Sequence, residues 1–154
     1  IDLDDVLGAH GIRAVQVPII KDRYVVHHSN LGGCMFIYMD PEHLNRTDEA
    51  MKILSETPGI DDVYSREDAV EKLNLYHERI GDIVVTADKA TVFGPSELSR
   101  ELGGEGKVPP GLRSHASAHE QDIPLIGYNG DFEGFEFSEN RDIGRYVFER
   151  VLTD

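Results

Sequence analysis

Apolar residues recur along this chain with two periods, one near 3.6 and one near 2, that take turns along its length. In IDLDDVLGAHGI the apolar positions fall at helical spacing over residues 2–9, with Gly11 as the stop and no cap ahead of the helix. RAVQVPII then reads as an extended segment. RYVVHH and CMFIYM are two runs of β-branched and aromatic residues joined by SNLGG, the signature of a hairpin. Asp40 and Pro41 open a helical stretch over residues 40–56: Asp40 can cap it, Pro41 suits its first turn, and Leu44, Met51 and Leu54 fall near one face. Pro58 and Gly59 end it.

IDDVYSR is a short strand, and Ser65 with Asp68 approximates a capping box for the helix REDAVEKLNL. GDIVVTAD is an apolar run bounded by Gly81 and Asp88, which predicts a buried strand. Residues 23–88 therefore run β-β-α-β-α-β, a layered α/β unit with helices packed on a sheet. Residues 94–114, rich in Gly, Pro and Ser, form a loop too long for a simple connector. IPLIGYN reads as a further strand and ENRDIGRYVFERVLTD as an amphipathic closing helix. There is no internal repeat and no low-complexity tract.

Composition narrows the function classes. At 154 residues and 40% hydrophobic side chains, the chain has one domain's worth of sequence and can bury a real core. Fifteen basic residues against 29 acidic give a formal charge of -14, so the field of the whole chain repels phosphate backbones and anionic membranes. Nucleic acid and membrane are excluded as expected partners. The single cysteine, Cys34, lies inside CMFIYM, where it reads as a small buried apolar residue in a reducing compartment. No stretch approaches the roughly 20 apolar residues of a membrane span, and no signal segment opens the chain, so a soluble, cytoplasmic protein is expected. The chain begins with Ile1 rather than Met, so a piece of a longer protein, or a processed one, is expected.

Among the seven histidines, His10, His43 and His77 stand alone and read as solvent-facing. His27 and His28 are adjacent on a strand pattern, so their side chains point to opposite faces and suit a structural role. His115 and His119 differ, because four-residue spacing on a helical turn puts two imidazoles on one face, as zinc sites use. They sit in GLRSHASAHEQDIPLIGYN, a loop feeding an apolar run that could hold it in place. Arg113 could pair with an anionic substrate or with a ligand-orienting carboxylate, and Glu120 could orient an imidazole N–H. Two histidines do not complete a zinc site, which takes three protein ligands or more. Tyr24, Tyr38 and Tyr64 read as core or sheet-surface residues, and the acidic runs DEAMK and REDAVEK as solvated helix faces.

RSHASAHEQDIPLI resembles the C-terminal metal-ligand segment of phosphonoacetate hydrolases, members of the alkaline phosphatase superfamily related to nucleotide pyrophosphatase/phosphodiesterases. YVVHHSNLGGCMFIYM, PGIDDVYSREDAVEKLNL and HERIGDIVVTADKATVFG are similar to the same family in the same order, so the likeness runs collinearly over residues 23–126. The resemblance implies an α/β fold: an alkaline-phosphatase-like C-terminal portion, with residues 1–22 and 89–154 part of the catalytic domain and residues 23–88 a small β-β-α-β-α-β cap-like unit on a sheet. It implies a hydrolase with two zinc ions, whose remaining ligands and Thr nucleophile lie in sequence upstream of Ile1. The one metal ligand that carries over is His115; no catalytic residue and no further cofactor-binding residue falls in this chain. Family members usually carry a glycine pair after that histidine, where Ala116 and Ser117 stand here, and His119 replaces a residue that is usually small or polar.

The resemblance implies cleavage of the P–C bond of phosphonoacetate to acetate and phosphate, with a small anionic phosphonate or phosphate ester as partner and a homodimer left open. The isolated piece is expected to be inactive. Two alternatives stay open: a metal-dependent phosphodiesterase or phosphomonoesterase of the same superfamily, which shares metal ligands but not substrate contacts, and a non-catalytic acidic α/β interaction module.

Overall fold

The computed structural model describes residues 1–18, 32–95 and 115–152. The chain divides into two compact units, Ile1–Asp122 and Ile123–Asp154. RYVVHH with His27, His28 and Tyr24, and Arg113 with most of the 94–114 loop, lie outside the described residues.

The first unit is mixed α/β. A helix α1 (Leu3–Gly8) leads into strand β1 (Ala14–Pro18), followed by β2 (Cys34–Met39), α2 (Thr47–Ser55), β3 (Ile60–Ser65), α3 (Arg66–Leu73) and β4 (Ile83–Ala87). The four strands form one sheet in the order β1-β2-β4-β3. Every neighbouring pair is antiparallel. β1 pairs with β2 from Ala14 opposite Met39 to Pro18 opposite Met35, so a strand from within the first 22 residues belongs to the same sheet as the strands that follow.

Side-chain alternation explains why β2 and β4 read as unbroken apolar runs: both of their faces are covered. Met35, Ile37, Met39, Ile83, Val85 and Ala87 share a core with Leu3 and Leu7 of α1, Ile12, and Ala50 and Leu54 of α2. Cys34 and Val84 share a second core with Ala69 of α3 and Ile80, flanked by half-buried Phe36, Tyr64 and Leu73. Each fully buried Val, Leu, Ile or Met side chain in these layers contributes about 1.5–3 kcal/mol.

Caps explain where the helices begin. Asp2, at the position where the sequence reading placed no cap, accepts a hydrogen bond from the Asp4 N–H and starts α1, and Gly11 takes a positive φ of 65° beyond its end. Asp40 accepts from Glu42 N–H as expected, but the first turns, Pro41–Arg46, are a 3-10 helix and only Thr47–Ser55 is α. The tighter winding turns Leu44 away from the face that buries Leu54, leaving it 51% exposed. Ser65 accepts from Asp68 N–H at 3.1 Å and caps α3, as the capping-box spacing predicts.

The second unit departs from expectation. IPLIGYN is not a strand: residues 123–129 have no strand partner among the described residues, and Ile126 is 90% exposed. Pro124 has no N–H for a ladder, and Gly127 and Asn129 (φ 56°) interrupt the extended run. The closing helix is shorter than its pattern, with α4 (Arg141–Tyr146) continuing as a π-helical turn over Val147–Val151. The aromatic side chains of this unit cluster without being fully buried: Tyr146 packs on Phe132, Phe135 and Phe137 at centroid distances of 5.2, 5.2 and 5.6 Å.

Candidate functional site

The segment carrying His115 and His119 is fastened to the end of the sheet. Gly33, just before β2, donates its N–H to the His115 carbonyl at 2.8 Å, and the Gly33 carbonyl accepts from Ala87 N–H at 2.8 Å. A β-carbon at Gly33 would stand 2.9 Å from the Ser117 nitrogen, so only glycine lets the two backbones approach this closely. After His115 the chain turns sharply through Ala116, whose φ is 73°, into a single 3-10 turn, Ala118–Glu120. Glu120 closes that turn by accepting the Ala116 N–H at 2.8 Å.

The two histidines are engaged by different carboxylates. His115 Nδ1 lies 3.8 Å from Glu120 Oε2, an electrostatic contact longer than a hydrogen bond. His119 Nε2 lies 2.6 Å from Asp61 Oδ2 on β3, across 58 positions of sequence. The turn at Ala116 breaks the continuous helix that a shared imidazole face would need. Nearby, Asp88 is held below the usual carboxylate range, chiefly by hydrogen bonds from the Thr91 hydroxyl and the Ala90 N–H, with His119 adding a smaller charge effect.

Glu120 stands beside an imidazole nitrogen, as anticipated. Asp61 and Gly33 were not singled out in sequence, since Asp61 sits in a strand pattern and the glycine pair reads as a hairpin turn. A Gly-Gly directly before a buried strand is the signal that could have marked the close approach. His10 and His77 are exposed, but His43 is half-buried because its Nδ1 accepts the Arg13 N–H at 2.7 Å. Cys34 is buried as expected, and burial pushes its thiol up to about 11.

Among the described residues, no group of three or more His, Cys, Asp or Glu side chains comes together as a metal site. His115 alone therefore does not make up a zinc centre among the described residues. Glu120 places a negative charge beside His115 Nδ1 at 3.8 Å. No helix among the described residues is long and apolar enough to cross a membrane.

No protein-family model matches the chain. Comparison with solved structures points to a class of enzyme, the hydrolases. The particular similarity is to phosphonoacetate hydrolase from Sinorhizobium meliloti 1021, solved in complex with phosphonoformate and with phosphonoacetate. Each match has a TM-score of 0.52 and 30% sequence identity, and covers 73% of this chain. The chain spans 31% of the length of that hydrolase. The resemblance to phosphonoacetate hydrolases read from its motifs thus extends to the fold.

Proposed function

We propose that this chain is part of an alkaline-phosphatase-like hydrolase that cleaves the P–C bond of phosphonoacetate, and that His115 is one of its zinc ligands. The observation that carries the reading is the joint similarity in sequence and fold to a phosphonoacetate hydrolase over most of this chain. In the reaction, water supplies the oxygen that ends on phosphorus and a proton that ends on carbon. The bond can break because the neighbouring carboxylate lets the carbon leave as an enolate-like species. Bound zinc would supply positive charge for the phosphoryl oxygens. This chain's own contribution is positional: Gly33, itself bonded to β4, holds the His115 backbone, and Glu120 sets a negative charge beside its Nδ1.

The test is phosphate release from phosphonoacetate by the complete protein with added zinc, run beside His115→Ala. Release should fall in the variant by more than the roughly 10- to 100-fold that disturbing a ligand's support costs, with a matching loss of bound zinc. Equal release and zinc content would remove His115 from the site. Turnover of a phosphodiester or phosphomonoester in place of phosphonoacetate would move the reading to a related hydrolase, and no turnover of any of them to a binding module.

A further inference from the structure

The segment that carries His115 is bonded to the sheet on either side of β4. Gly33, just ahead of β2, donates to the His115 carbonyl, and Asp61 of β3 meets His119 Nε2 at 2.6 Å. In the strand order β1-β2-β4-β3 these anchors stand two strand spacings apart, about 10 Å. The hydrogen bonds of Ala116, Glu120 and Gln121 close within the segment itself. A turn held at one point can swivel about it, whereas a turn held on two strands has its direction set. Asp61 reaches His119 because β3 is irregular. Its ladder runs from Ser65 opposite Ile83 to Asp62 opposite Thr86 and resumes with Ile60 opposite Ala87, so Asp61 is the extra residue of a β-bulge. Had the pairing run on without it, Asp61 would stand opposite buried Ala87, on the face of the apolar core. The bulge gives that place to Ile60, which packs on the same core as Val63 although an unbroken strand would turn the two to opposite faces. Asp61 is thereby left out of the ladder, with its carboxylate on the turn.

We propose that Asp61 and His119 are positioning residues for His115: their bond sets the direction of the 115–121 segment and, through it, where the His115 imidazole points. The bond is half-exposed, with the His119 and Asp61 side chains 44% and 38% accessible, so it adds little to the stability of the fold. Its effect falls on one turn, the one that bears the candidate ligand. The functional consequence rests on the reading of His115 as a zinc ligand, while the tie itself joins two side chains of this chain and uses no metal.

Hydrogen exchange of the complete, chelator-treated protein, read by mass spectrometry, tests the tie, and zinc competition against a chromogenic chelator tests its consequence. His119→Ala and Asp61→Ala should each speed exchange across the 115–121 peptide roughly 3- to 10-fold, between the worth of an exposed ion pair and that of a charge-assisted hydrogen bond. The double variant should exchange no faster than either single one, because both remove the same bond. His119→Gln, whose side-chain amide can still donate to Asp61, should stay near the parent rate. Zinc affinity should fall by a similar factor in the two Ala variants and hold in the Gln variant, since a tie changes binding only as far as it shifts the population of the competent state. Parent exchange rates in both Ala variants, or equal rates for His119→Ala and His119→Gln, would overturn the proposal. Faster exchange with unaltered zinc affinity would overturn it as well, provided His115→Ala lowers that affinity. Where His115→Ala leaves zinc affinity unaltered, the zinc reading is what has failed, and the exchange rates alone decide the tie.

Discussion

A methyl group at Gly33 has nowhere to go: it would meet Ser117 Cβ at 2.8 Å and the Ser117 nitrogen at 2.9 Å, and backbone cannot swing aside as a side chain can. Gly33→Ala is therefore expected to lift the 115–120 segment from the sheet and to cost about 1–3 kcal/mol in urea unfolding, the usual scale of overpacking. The His119 ring protons should shift as the Asp61 contact is lost; an unchanged His119 signal would show that the segment is held elsewhere. Cys34 shows burial acting on chemistry. Raising the thiol from 9.0 to about 11 lowers its thiolate fraction at pH 8 roughly a hundredfold. Iodoacetamide should label the native protein far more slowly than the urea-unfolded one, and equal rates would contradict the buried placement.

At the scale of elements, α4 depends on one carboxylate. Asp142, 8% exposed, accepts N–H groups of Ser138 at 2.8 Å and Glu139 at 2.9 Å, the Ser138 hydroxyl at 3.1 Å and Arg145 Nε at 3.2 Å. These bonds, the Ser138 amide first, hold its carboxyl well below the usual range. A depressed folded value stabilises above the unfolded carboxylate value of about 3.9 and is lost only as pH falls through the folded value. The Ser138 and Glu139 amides should therefore stay protected from hydrogen exchange at pH 4, and Asp142→Asn should speed their exchange at neutral pH. Exchange in the variant at the parent rate would show that the aromatic cluster, not Asp142, orders this turn.

At the scale of the whole molecule, charge and coverage point the same way. A chain of -14 repels a phosphonate anion, so a working site needs cations that this stretch does not assemble among its described residues. The similar hydrolase is more than twice as long, since the match covers 73% of this chain and only 31% of that one. Residues 1–154 alone are expected to release no phosphate from phosphonoacetate with zinc added. Measurable zinc-dependent release by this chain would place a complete site within it.

The sequence by itself determined what depends on local spacing. The apolar runs CMFIYM and IVVTA, the Ser65 cap of α3 and the Gly11 stop are legible because hydrogen bonding and side-chain period act within a few residues. The likeness of its motifs to phosphonoacetate hydrolases is a resemblance of residue strings, not of spacing or periodicity, and it too was visible before any tertiary contact was known. Only the tertiary structure decided which strands pair, that IPLIGYN finds no partner among the described residues, and that His119 meets Asp61 while His115 rests on Gly33. Each of these joins residues far apart in the chain, and no local periodicity encodes which distant backbone will come close enough to donate an N–H.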